Sequence, residues 1–155
     1  MATSTGSWVE AGPFRAHLRH LMAVGGLDEQ EAATVTGLPV RAVQHILHGR
    51  DGRAQRRISP DTAYRLLRVG TAEIAALRWC LAPAVAAQTA YAQLRAAGWS
   101  ALQVATAARV PVEEIEALAG AERCPRLLVV RLVSQARRLP GAEDDRSLDE
   151  LHRAA

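Results

Sequence analysis

Shifted by 72 positions, the 155-residue chain matches itself without a gap through one stretch: Gly26 falls on Gly98, Ala33 on Ala105, Leu38 on Val110 and Pro39 on Pro111. Val40 then falls on Val112, Val43 on Ile115 and Ile46 on Leu118. An ordered match of this kind reads as duplication of one supersecondary unit, so the fold has to hold two similar small bodies. Helix formers dominate both: alanine makes up 31 of the 155 residues, and strand signals are scarce. The expected class is all-α, two small helical bundles each built around a helix-turn-helix, the second degenerate.

The first helix is expected to open at Gly12-Pro13 and to carry Phe14, Leu18, Leu21 and Met22 on one face, stopping at Gly25-Gly26. A short helix over about 28–36 ends at Gly37, and another runs from Pro39 to Gly49 with Val43, Ile46 and Leu47 inward. Residues 50–57, RDGRAQRR, form a polar loop. Ser59-Pro60-Asp61 then starts a helix to about Val69, with Ala63, Leu66 and Leu67 inward. In the linker, residues 71–79 are compatible with a short helix, and Pro83 marks a break. After it, helices are expected over 84–97, 101–108 and 111–119, then from Pro125 to about Arg138, Pro60 matching Pro125. Residues 127–133, LLVVRLV, are also compatible with a buried strand. The resulting division is a flexible segment at 1–12, domains at 13–80 and 84–139, and an acidic tail at 140–155 with one short capped helix.

Residues 27–49 have helix-turn-helix spacing: small Ala33 permits close helix crossing, and Gly37 supplies the tight turn. Val40, Arg41, Gln44, His45 and His48 are left on the outer face of the recognition helix. Arginine can read guanine, glutamine adenine, and valine a thymine methyl, so these five are the candidate base contacts. Arg50, Arg53, Arg56 and Arg57, with Arg15 and Arg19 on the first helix, are the candidate phosphate contacts. The whole chain carries only +3, yet residues 38–57 hold five arginines and one aspartate, a local +4. One feature opposes this: the second helix opens with Asp28, Glu29 and Glu31, where phosphate would approach, so those acids have to point elsewhere.

The stretch 37–49, GLPVRAVQHILHG, followed by arginines and ISPDTA at 58–63, resembles the DNA-binding domains of actinobacterial and actinophage repressor-like helix-turn-helix regulators. The resemblance covers 13–69, and 85–138 is similar to the second helix-turn-helix of such proteins. It implies sequence-specific duplex binding and transcriptional control, as a repressor, with recognition roles carried onto Val40, Arg41, Gln44 and His45.

The second copy departs where contact with DNA matters. Arg109 replaces the turn glycine, and Glu113, Glu114 and Glu116 stand where the first copy has Arg41, Ala42 and Gln44. Carboxylates on that face repel phosphate. Residues 1–80 carry ten arginines and seven acids, residues 81–155 nine of each. The second copy is therefore expected to serve a homodimer or a protein partner through 84–139, with Leu127, Leu128, Val130 and Leu132 as a candidate interface; filling a small core is the alternative. An adaptor gripping proteins in place of DNA is the rival reading of the whole chain.

Nothing in the sequence points to an enzyme or a cofactor. His17/His20 and His45/His48 have helical spacing but lack the further ligands a metal needs, so no metal site is expected. Trp8, Trp79 and Trp99 read as packing anchors, and Cys80 and Cys124 as free thiols. No apolar run approaches the roughly 20 residues of a membrane span, and a cytoplasmic location is expected.

Overall fold

The computed structural model describes residues 7–142. The expected tail helix lies outside the described residues, as do residues 1–6 of the N-terminal segment. The chain is mostly helical and divides into two compact units, Met1–Cys80 and Leu81–Ala155.

In the first unit a two-residue strand β1 (Val9–Glu10) leads into α1 (Ala11–Gly25), α2 (Glu29–Thr36) and α3 (Val40–His48), followed by strand β2 (Arg57–Ile58), α4 (Pro60–Leu67) and α5 (Thr71–Ala76). Side chains cap the starts of α2 and α4. Asp28 accepts the Glu31 N–H at 2.9 Å while Glu31 accepts the Asp28 N–H at 3.0 Å, a reciprocal cap on α2. Ser59 accepts the Thr62 N–H at 3.2 Å, with Pro60 in the first turn of α4. Leu18, Val43, Ile46, Ile58 and Leu66 are fully buried where α1, α3, β2 and α4 converge. Each contributes about 1.5–3 kcal/mol by leaving water.

The second unit repeats that order. Strand β3 (Leu81–Pro83) precedes α6 (Val85–Ala96), α7 (Ala101–Ala108) and α8 (Val112–Ala117), which a 3-10 turn (Leu118–Gly120) extends; β4 (Arg123–Pro125) and α9 (Arg126–Arg137) follow. Each unit is closed by antiparallel pairing of its two strands, Val9 with Ile58 and Ala82 with Cys124. The same bond anchors the first helix in each: Ala11 donates to the Arg56 carbonyl at 2.8 Å, Ala84 to the Glu122 carbonyl at 3.0 Å. Between α3 and β2 the first unit has residues 49–56, and between the 3-10 turn and β4 the second has only 121–122, six fewer.

The strand pairs were not expected, and they correct several readings. Residues 9–12 of the supposed flexible segment are ordered, with Ala11 fully buried at the start of α1. Strand register matches Ile58 with Cys124, so Pro60 corresponds to Arg126, and Pro125 precedes α9 as its cap. Residues 127–133 are helical. Leu127, Leu128 and Leu132 are 8%, 4% and 0% exposed, so these three fill the core of their own unit and are removed from the candidate interface; Val130 is half-buried. Leu67 points outward at 67% exposure, because Ala63 and Leu66 already complete the inner face of α4. Trp8 and Trp79 are exposed, and of the tryptophans only Trp99 packs on a core.

Among the described residues, no helix is long and apolar enough to cross a membrane.

Candidate nucleic-acid interface

Burial of Val43, Ile46 and Leu47 turns the opposite side of α3 outward. Arg41, Gln44, His45 and His48 are exposed and, at positions i, i+3, i+4 and i+7, form one stripe along it. Val40 departs from the expected set: it is half-buried and packs against the core, so its methyls are only partly available. The turn into α3 is held from outside by Arg65, whose Nη1 donates to the Gly37 carbonyl at 2.7 Å while its Nε binds Asp61 at 3.0 Å. Arg65 was not singled out from sequence, although Asp61 and Arg65 have the i, i+4 spacing of a helical ion pair.

The acids that opposed phosphate approach are used internally. Asp28 and Glu31 cap α2, and Glu31 is fully buried. Glu29 accepts a hydrogen bond from the His48 ring.

At its C-terminal end α3 has unpaired carbonyls to satisfy. Gly49 donates to His45 O at 2.8 Å, Arg15 Nε to Ile46 O at 2.6 Å and Arg19 Nη2 to Leu47 O at 3.2 Å. Arg15 also donates through Nη2 to Gln55 O at 2.6 Å. Without DNA, Arg15 and Arg19 thus brace the end of α3, where cationic donors are favoured by the helix dipole; Arg15 is half-buried and Arg19 exposed.

The loop after α3 is more ordered than a polar loop. Arg50 and Arg53 exchange backbone hydrogen bonds, 2.9 Å each way, around Asp51 and Gly52 at φ 51 and 73. Two consecutive positive φ values mark a type I′ turn, for which Asp-Gly is a preferred dipeptide; that signal was present in the sequence. Arg50, Arg53, Arg56 and Arg57 are all exposed. Among the described residues, Arg41, Arg53, Arg56 and Arg57 face no carboxylate within ion-pair distance, and Arg50 has only Asp51, at 3.9 Å. Strand pairing and the Ala11 bond fix the backbone beneath Arg56 and Arg57.

The matching surface in the second unit is acidic. Glu113, Glu114 and Glu116 on α8 are exposed, and Arg109 adopts φ 56 where Gly37 adopts φ 69. A shallow groove of about 500 Å³ lies beside Trp99, Leu102 and Thr106, on α7 and the turn before it, and is lined by no ionisable side chain.

Among the described residues, no three His, Cys, Asp or Glu side chains are grouped to hold a metal. His17 Nε2 lies 3.2 and 3.1 Å from the Leu66 and Val69 carbonyls, so it serves the end of α4. No known family, no curated protein and no solved structure matches the chain.

Proposed function

We propose that the chain is a sequence-specific double-stranded DNA-binding transcriptional regulator, a cytoplasmic repressor in which α2 and α3 form the reading helix-turn-helix. α3 enters the major groove and presents Arg41, Gln44 and His45 to base edges, while the arginines of residues 50–57 meet backbone phosphate. The observation that carries this reading is the exposed polar stripe on α3, continued by four exposed arginines with no strong acidic partner among the described residues. Pairing of Glu29 and burial of Glu31 support it, because they quieten the negative charge beside that stripe.

The unit at 81–142 is the degenerate copy. Its exposed glutamates on α8 favour a protein partner over DNA for that half. If the protein works as a two-fold dimer, operator half-sites lie about 34–36 Å apart. Selection of bound fragments from random DNA, followed by gel-shift of the winner, tests the reading. Arg41→Ala with Gln44→Ala should weaken the selected site by about 5- to 150-fold per lost base contact and scrambled DNA far less, through the one lost cation alone. Absence of any sequence preference at about 150 mM salt, where nonspecific binding has faded, would favour a protein adaptor.

A further inference from the structure

The segment joining α3 to β2 is held in conformations that few residues tolerate. Gly49 lies at φ 76 and ψ −162, a region open essentially to glycine, and a Cβ there would stand 2.0 Å from the Arg53 carbonyl oxygen. Asp51 takes φ 51, a left-handed conformation uncommon outside glycine. These constraints build a minimal hairpin whose two opposed residues are both arginine. Residues that exchange both backbone bonds send their side chains to the same face, with Cβ atoms about 5 Å apart. Like charges so placed repel. Asp51 relieves this little, since its carboxylate is 92% exposed and 3.9 Å from Arg50. The hairpin is also tied down, because Arg15 bonds both the Ile46 carbonyl in α3 and the Gln55 carbonyl on the descending limb.

A braced ribbon that roots two planar, five-donor cations on one face lets both reach a single tetrahedral oxyanion, which can accept from both forks at once. We propose that Arg50 and Arg53 jointly bind one phosphate group, supplied by the DNA phosphodiester that flanks the groove entered by α3. The source of the phosphate rests on the DNA-binding reading; the hairpin geometry does not. Arg56 and Arg57 lie past the hairpin and meet phosphates of their own.

Two measurements on the full chain test this. In the first, duplex affinity is followed against salt for the parent, Arg50→Ala, Arg53→Ala, the double variant and Arg57→Ala. One shared phosphate lowers the salt slope by about 0.9 in the double variant and by clearly less in either single variant, because the remaining arginine still neutralises it. Arg57→Ala added to the double variant lowers it by about 0.9 again. A fall near 1.8 in the double variant means two separate phosphates and overturns the proposal, as does no change. In the second, inorganic phosphate is titrated into the DNA-free protein and amide resonances are recorded against sodium chloride of equal ionic strength. Shifts confined to the hairpin amides, absent in the double variant, are expected; equal shifts in both proteins would overturn the site. Hairpin shifts without duplex binding would sink the DNA reading and leave the phosphate site standing. Duplex binding with an unchanged slope in the double variant would do the reverse.

Discussion

His48, the last residue of α3, donates from Nε2 to the carboxylate of Glu29, the first residue of α2. A carboxylate only accepts, so Nε2 carries the proton in this contact. The pair ties the end of α3 to the start of α2. On the proposed reading, the ring engages an acid that would otherwise face phosphate.

His48→Ala is therefore expected to weaken specific and scrambled duplexes alike at low salt, because the Glu29 carboxylate loses the donor that occupies it. Glu29→Gln in the His48→Ala background should restore the loss. Fluorescence anisotropy on both duplexes checks this. A loss confined to the specific sequence would return His48 to the base-reading set.

Gly49 is the position where a single methyl should disconnect the arginine hairpin from α3. A Cβ there meets the Arg53 carbonyl carbon at 2.6 Å and the Ala54 Cα at 2.9 Å, all backbone, so the chain has to move. Gly49→Ala should destabilise the first unit by about 3 kcal/mol or more. Gly52→Ala supplies the contrast: φ is 73 but its Cβ meets nothing within 4 Å, leaving only the left-handed cost of about 1–2 kcal/mol. Equal destabilisation of the two variants in urea melts would refute the packing argument.

Arg15→Ala removes charged donors from two carbonyls at once, for an expected loss of about 1.5–3 kcal/mol, or roughly 6–24 °C in the melting temperature of a unit this size. Arg15→Lys should recover only part, since one ammonium lacks the planar fork that spans both acceptors. The salt slope of DNA binding should not move in the folded variant. A fall of about 0.9 would show that Arg15 reaches phosphate after all.

What the sequence could reveal depended on how local the cause was. Ser59, Pro60 and Asp61 announce α4 because a cap is settled within one turn, and Gly26 and Gly37 end their helices for the same reason. Val43, Ile46 and Leu47 repeat at helical period, so the exposed stripe Arg41, Gln44, His45 and His48 follows by subtraction. Contacts between distant residues left no such trace. Val9 pairs with Ile58 through two-residue strands too short to alternate, and Arg15 reaches carbonyls 31 and 40 residues away. Nothing local to Glu29 or His48 marks them as partners. The leucines of α9 misled for another reason. A helix apolar around much of its circumference reads as an interface, whereas α6 and α7 already cover it.

Leu132 makes that last correction testable. It is fully buried, so Leu132→Ala should destabilise the second unit by about 2–5 kcal/mol. Half-buried Val130→Ala should lose about 1 kcal/mol or less. Neither should change the mass of the protein in solution while it remains folded. A folded Leu132→Ala variant that dissociates from an oligomer would place α9 back at a subunit contact.

The two thiols differ in a way that reports on the second unit. Cys80 is exposed, whereas Cys124 is buried in β4, and burial pushes its thiol above the usual 9.0. Only the thiolate reacts with maleimide, so at pH 8 the native protein should take one adduct quickly and a second only after unfolding. The raised value also fixes a sign. Below about pH 9 the thiol is protonated in both states and its contribution to stability is fully present. As pH rises past that value the unfolded chain ionises first, so stability falls, levelling once the folded thiol ionises too. Urea midpoints of the parent and of Cys124→Ala, compared from pH 7 to 10, should diverge in slope only above about 9. Parallel curves over the whole range, or two rapid adducts at pH 8, would mean that Cys124 is open to water and that the β3–β4 pair does not seal this core.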